Sequence, residues 1–483
     1  MVGRVRHPRA STANERLRVP PPLLKRRLPS GRGAMEQPNI TGDGEARLDP
    51  RFWLAVVVVG VAAGLGGVAM MAILFNVEHL AFDYHRGGFQ AAVERSSGLR
   101  RVVVLLAAGA FGGPAWYLLR SRTPGESSDL DDAVWNGDGR LSWRRCLGTS
   151  VISEIVIGMG ASIGREAAPK LLGGVSGNLA AHWLGLTSAQ RRLLVACGGG
   201  AGLAAVYNVP LGGALFTAEI LVGALTLPTV LPALACSCVA TATAWMYLPN
   251  HATYPGVAPF GFSATLLVWS IPAGAAVGLL ASGLIRLVGW VSHHSLTGRP
   301  AIAAPVGAFA VLGLVGLAYP ELFGNGKDMA SAVFAGHGSL ILLLALFALK
   351  PVVTALCLGS GASGGLFTPF MSTGAVLGGF GGLVWDHLWP GAPLGAFALV
   401  GAAAMIGSSM QAPLTGVALV LELTHSGFEI VVPIVAATVV ATAIVRWIDG
   451  YSIYSARLPA PDDGRRPHRA AGGPEAMPPA GHG

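Results

Sequence analysis

Gly158-Met-Gly-Ala-Ser-Ile-Gly-Arg-Glu-Ala-Ala168 and Gly359-Ser-Gly-Ala-Ser-Gly-Gly-Leu-Phe-Thr-Pro369 are two versions of one signature, with Gly164 and Gly365 standing 201 residues apart (365 − 164). Each interrupts an apolar run with glycines, the pattern of membrane helices broken so that bare backbone N–H groups face a site inside the protein. A helix start opened in this way is a place to hold an anion. The same spacing carries Gly173 onto Gly374 and Gly177 onto Gly378. Asn208-Val-Pro-Leu-Gly-Gly213 returns as Gln411-Ala-Pro-Leu-Thr-Gly416, and Glu219 returns as Glu422, 203 residues on (422 − 219). Chance likeness of glycine-rich and alanine-rich sequence is the competing explanation. The shared order of Gly-Ala-Ser, Gly, Pro-Leu-x-Gly and Glu argues for duplication.

The surrounding sequence is that of an integral membrane protein. Of 483 residues, 52% are hydrophobic and 12% charged, against about 25% charged in soluble domains. Stretches long enough for a hydrocarbon core of about 30 Å run from Trp53 to Ala81, Val102 to Leu119, Leu225 to Tyr247, Leu266 to Val291, Ala301 to Ala318, Leu340 to Leu358 and Ile430 to Val445. Shorter apolar stretches punctuated by Gly and Pro read as tilted or half-spanning helices.

Residues 1–48 read as a disordered basic N-terminal tail, with Arg4, Arg6, Arg9, Arg16, Arg18, Lys25, Arg26 and Arg27 spread around Pro20 to Pro22. Initiation at Met35 and a lipid-binding polybasic arm are the alternatives. No apolar core precedes a small-residue cleavage site, so a secretory signal is not expected. Residues 459–483, rich in Pro, Gly and Ala, read as a second disordered tail. The net charge of +8 comes largely from these tails and points to a membrane surface rather than nucleic acid. Cys146, Cys197, Cys236, Cys238 and Cys357 lack metal-site spacing and read as packing residues.

Several motifs together resemble the CLC family of chloride channels and chloride/proton antiporters, in its prokaryotic type without CBS domains. Gly164-Arg165-Glu166 is similar to the family's GREGP motif, and Gly365-Leu366-Phe367-Thr368-Pro369 fits its GxFxP motif. The two Pro-Leu-x-Gly segments and Tyr454, within Tyr451-Ser-Ile-Tyr-Ser-Ala456, support the likeness, which covers Trp53 to Leu458. The resemblance implies an all-α integral membrane protein built as a CLC-type inverted repeat of many tilted and broken transmembrane helices. The membrane domain is placed at 49–458, with halves at about 49–248 and 262–458. It further implies a homodimer in a bacterial plasma membrane, one anion path per subunit, chloride as the transported ion and no cofactor.

Chloride enters a low-dielectric site only where polar groups replace its water. A full positive side chain would hold it too tightly to release, whereas a helix N-terminus, at about +0.5 charge, allows entry and exit. Glu166-Ala-Ala-Pro-Lys170 and Phe367-Thr-Pro369 both read as such starts, with proline in the first turn. The expected anion-binding set is Gly164, Arg165, Ala167, Gly365, Leu366, Phe367 through its N–H, and Tyr454. The glycines also suit close helix packing. By resemblance Tyr454 donates its hydroxyl to chloride from the cytoplasmic side; otherwise a tyrosine here is an interfacial anchor. Glu166 matches the family's gating glutamate, a tethered anion that leaves when protonated; an ion pair with Arg165 is the structural alternative.

The sequence departs from the family pattern in two places. At the position of the GSGIP serine stands Gly125, within Pro124-Gly125-Glu126-Ser127-Ser128, followed by Asp129, Asp131 and Asp132. Ser127 or Ser128 is left to supply the hydroxyl, and nitrate or fluoride competes with chloride as the ion. The antiporters' second glutamate usually sits one residue after the position of Glu219, where this chain has Ile220. Glu154, an acid inside an apolar run, is a candidate substitute proton station, or else the partner of Lys350 or Arg144. A cation-coupled symporter would show more acids at the broken helices. An enzyme is not expected, since HExxH and phosphate-loop motifs are lacking.

Overall fold

The computed structural model describes residues 48–85, 87–255 and 261–458. Leu48 aside, both expected tails lie outside the described residues. In the first half run α1 (Pro50–Phe82), α2 (Gly98–Arg122), α3 (Leu130–Trp135), α4 (Trp143–Gly158), α5 (Ala167–Trp183), α6 (Ser188–Tyr207), α7 (Pro210–Leu215) and α8 (Leu227–Ala244). The second half runs through α9 (Ala264–His293), α10 (Pro300–Val315), α11 (Lys327–Phe334), α12 (Leu340–Gly359), α13 (Phe367–Asp386), α14 (Leu394–Met410), α15 (Pro413–Thr424) and α16 (Val431–Ile448). A short helix Phe89–Arg95 joins α1 to α2, and α7 continues as a π-helical turn, Phe216–Val222.

The order of α9 to α16 repeats that of α1 to α8, and so does the packing. α5 lies on α6 as α13 lies on α14, α1 on α8 as α9 on α16, and α6 on α8 as α14 on α16. Two pairs of counterparts also meet across the halves, α2 with α10 and α7 with α15. Contacts between counterparts are what a two-fold relation between the halves requires.

The acids Glu219 and Glu422 make that relation visible in single hydrogen bonds. Glu422 accepts from the N–H groups of Leu211 (3.0 Å) and Gly212 (2.6 Å) at the start of α7. Glu219 accepts from Leu414 (3.3 Å) and Thr415 (2.7 Å) at the start of α15. Each half thus caps the other's broken helix, satisfying N–H groups that a helix start leaves without an internal partner.

Glycines set how closely the inner helices approach. A Cβ at Gly173 of α5 would collide with the carbonyl of Gly198 on α6, and one at Gly198 with the carbonyl of Gly173. Gly374 and Gly401 repeat the arrangement between α13 and α14. Small residues let backbones touch where hydrocarbon lipid provides no hydrophobic drive to associate.

Seven described helices are long and apolar enough to cross a membrane. Two differ from the sequence expectation. The apolar run 301–318 forms only the 16-residue α10, which starts at Pro300 and gives way to turn after Val315. α13, read only as a helix start and not among the expected full spans, reaches 20 residues, with 72% of its apolar window buried inside the protein. Its glycines served interior packing rather than interruption.

Gly198→Val is expected to force α5 and α6 apart at a cost of about 1–3 kcal/mol. Thermal unfolding in detergent would check this; a melting curve identical to that of the unaltered protein would contradict the close crossing.

Candidate functional site

The two signature copies meet each other. Gly164 N–H donates to the Gly365 carbonyl (2.8 Å) and Gly365 N–H to the Gly164 carbonyl (2.7 Å), an antiparallel bridge between repeat counterparts. From this bridge one chain segment enters α5 and the other enters α13, so two helix N-termini converge on one buried spot. Both helices carry proline in the first turn, Pro169 and Pro369, whose missing N–H costs nothing there.

Glu166 stands at the entrance to α5 but directs its carboxylate to the start of α13. Its Oε1 accepts from the N–H of Phe367 at 2.6 Å, and its Oε2 accepts from the hydroxyl of Thr368 (3.2 Å), with the Tyr207 hydroxyl oxygen 3.5 Å away. Tyr207 and Thr368 share a further hydrogen bond of 2.8 Å. The carboxylate is 1% exposed. Hydrogen bonds to charged groups contribute about 1.5–3 kcal/mol each, and the α13 N-terminus adds its partial positive charge. A Cβ on Gly164 or Gly365 would occupy the space of this carboxylate, so the signature glycines make room for Glu166 as well as for the bridge.

Arg165 is not the partner of Glu166. Its guanidinium lies 5.1 Å from the centre of the Tyr207 ring, and its buried Nε has no partner among the described residues. The Tyr207 ring in turn packs edge-on against Phe367, with centroids 5.7 Å apart. Tyr207 escaped the sequence reading because nothing in its alanine-rich run marks it; its closeness to Thr368 and Glu166 arises only when α6 packs against α5.

A cavity of about 260 Å³ adjoins the bridge. Gly365, Leu366 and Ala167 border it at the helix starts, Tyr454 and Lys170 border it farther along, and Ser127 stands on its wall. Tyr454 is buried, and its hydroxyl reaches only the Met410 sulfur, at 4.0 Å, among the described residues. Gly125 is not on the cavity wall. It has φ +73° with open space around it, a turn conformation that a serine would adopt only with strain. Ser127 lies on the wall, but its hydroxyl accepts from the Asp129 N–H (3.1 Å) and shapes the turn into α3. Ser150 and Ser153 of α4, unremarked in the sequence, also line the cavity; Ser153 donates to the Ser363 carbonyl at 2.5 Å.

Glu154 is fully buried, and neither carboxylate oxygen has a hydrogen-bond partner among the described residues. The suggested partners lie elsewhere. Lys350 donates to the Ser162 hydroxyl (2.9 Å) and to the carbonyls of Leu322 (3.2 Å) and Gly324 (2.8 Å), and Arg144 covers the Trp143 ring. Lys350 therefore ties the first signature, through Ser162, to the loop between α10 and α11. Ile220 is buried, and its carbonyl accepts from the Trp135 indole at 3.3 Å.

The model of the voltage gated chloride channel family matches residues 111–446, and the chain belongs to that family, the CLC proteins. It is a multi-pass integral membrane protein. The voltage-gated ClC-type chloride channel ClcB of Citrobacter koseri is 27% identical over 415 residues, which cover 84% of this chain and 98% of the relative. The H(+)/Cl(−) exchange transporter ClcA of Yersinia pestis is 31% identical over 330 residues, 66% of this chain and 69% of the relative. A solved structure of a slow cyanobacterial Cl−/H+ antiporter matches with a TM-score of 0.73 and 22% identity, over 84% of this chain and 97% of that one. A CLC-type fluoride/proton antiporter matches with a TM-score of 0.67 and 20% identity over the same shares.

Gly365→Ala is expected to destabilise the protein by about 1–3 kcal/mol through collision with the Glu166 carboxylate. Most of that loss should vanish when Glu166→Ala is added. Detergent melting of the two single variants and the double variant gives the coupling; strictly additive losses would refute the contact.

Proposed function

We propose that the protein carries chloride across the membrane and exchanges it for protons, with Glu166 as both gate and proton carrier. The observation that supports this is the seat of the Glu166 carboxylate. It lies on the Phe367 N–H at the start of a membrane helix, where a mobile anion would find its strongest partial positive charge. In this reading the carboxylate is a tethered occupant of the anion site. Protonation at an oxygen removes the charge that holds it there, and an anion then takes the N–H in its place. Tyr454, on the wall of the adjoining cavity, stands where an approaching anion would pass. By family likeness the working form is a homodimer with one such path per subunit.

An uncoupled chloride channel is the second reading, favoured by Ile220. A buried isoleucine, standing where the family resemblance places the antiporters' second glutamate, cannot relay a proton.

The test is chloride efflux from liposomes holding the purified protein, with external pH recorded and the voltage clamped by a potassium ionophore. Chloride-driven proton movement against a proton gradient is the expected result; chloride flux without it would establish the channel instead. Glu166→Ala is expected to leave chloride flux indifferent to pH between about 4 and 8, the interval where carboxyl and histidine groups titrate. A pH response unchanged from the unaltered protein would remove Glu166 from the gate.

A further inference from the structure

Lys170 is a buried cation without a counter-ion in contact. It lies in α5, one turn past Glu166, with 8% of its surface exposed. Its ammonium makes no hydrogen bond or ion pair with any described residue. It is held instead by two ring faces, 4.8 Å from the centre of Phe216 and 4.9 Å from that of Tyr454. Lys170 borders the same cavity as Gly365 and Tyr454, and that cavity far exceeds the ~10–15 Å³ needed for one water. A desolvated ammonium facing an internal space calls for an anion.

Across the cavity stands Asp131 of α3, whose Oδ1 is buried and unpartnered among the described residues. Burial pushes its carboxyl up, to about 6, and Lys170 pulls it the other way, so the two charges sense each other without touching. Arg145 and Arg457 line the cavity too, with Glu126 and Asp129 as further acids; Arg145 is engaged with the Thr123 hydroxyl at 2.8 Å.

We infer that Lys170 is an anion-binding residue of the transport path, its ammonium holding the passing anion in the cavity in competition with the Asp131 carboxylate. It takes the place of the hydroxyl that Gly125 cannot offer. A lone buried ammonium would trap the anion, but Asp131 and the negative faces of two rings offset its charge, so that the anion can leave. The inference rests on the transport reading above and adds to it a ligand outside the helix termini.

The experiment is calorimetric titration of chloride into the purified full-length protein in detergent. Lys170→Met is expected to weaken binding about tenfold or more, as loss of a charge-assisted contact predicts, and Lys170→Arg to restore most of it. Asp131→Asn is expected to tighten binding. Unaltered affinity in Lys170→Met would overturn the inference. Should that variant fail to stay monodisperse, unchanged or weaker binding in Asp131→Asn would overturn it instead. If the unaltered protein gives no heat with chloride, nitrate or fluoride, the anion-transport reading itself falls, a result distinct from normal binding that ignores Lys170.

Discussion

The exchange of hydrogen bonds between Gly164 and Gly365 fixes everything around the site. Because the two residues are repeat counterparts, their pairing places the local two-fold axis between them and aims both following helices at one point. Neither α5 nor α13 could present free N–H groups to a common ligand if the signatures lay apart. The bridge also demands residues without side chains, since a Cβ on either glycine would fill the space in which Glu166 lies. Glycine here serves geometry: it admits a carboxylate to the start of a helix belonging to the other half of the chain.

The rest of the architecture keeps that meeting point rigid. Glu219 and Glu422 tie the starts of α15 and α7 across the halves, each acid accepting from two backbone N–H groups. Gly173 with Gly198, and Gly374 with Gly401, bring the inner helices to backbone contact. Lys350 binds two carbonyls of the loop between α10 and α11 and the Ser162 hydroxyl of the first signature. In hydrocarbon, where apolar surface gains nothing by leaving lipid for protein, such close packing and satisfied polar contacts hold helices together.

Electrostatically, partial charges surround the Glu166 seat and full charges line the cavity beside it. Helix termini and hydroxyls hold the carboxylate, and the nearest cation in sequence, Arg165, is turned onto the Tyr207 ring. Farther along, Lys170 and Asp131 bring opposite full charges to the wall of a single cavity. On the proposed transport reading, an ion moving between these regions would pass from charges balanced against each other to dipoles fixed by the backbone. That order would limit how deeply it is bound at either stage.

The sequence alone determined that the chain is a duplicated helical membrane protein with broken helices, because glycine punctuation, apolar length and repeat spacing are local properties of the chain. It also singled out Glu166, Gly164, Gly365 and Phe367, which lie within the signatures. Tertiary structure decided what those residues face. Tyr207 and Ser153 join the site through helix packing across distant sequence, and Arg165 leaves it although it adjoins Glu166. Gly125 stands off the cavity wall although Glu126 and Ser127, next along the same loop, line it. Lys350, an apparent partner for Glu154, satisfies backbone carbonyls instead. Lys170, read only as part of a helix start, becomes a cavity cation because α5 points it between two rings supplied by the π-helical turn and the C-terminal segment. Spacing along a chain states which residues share a helix face; which charges meet across a cavity depends on how those helices cross.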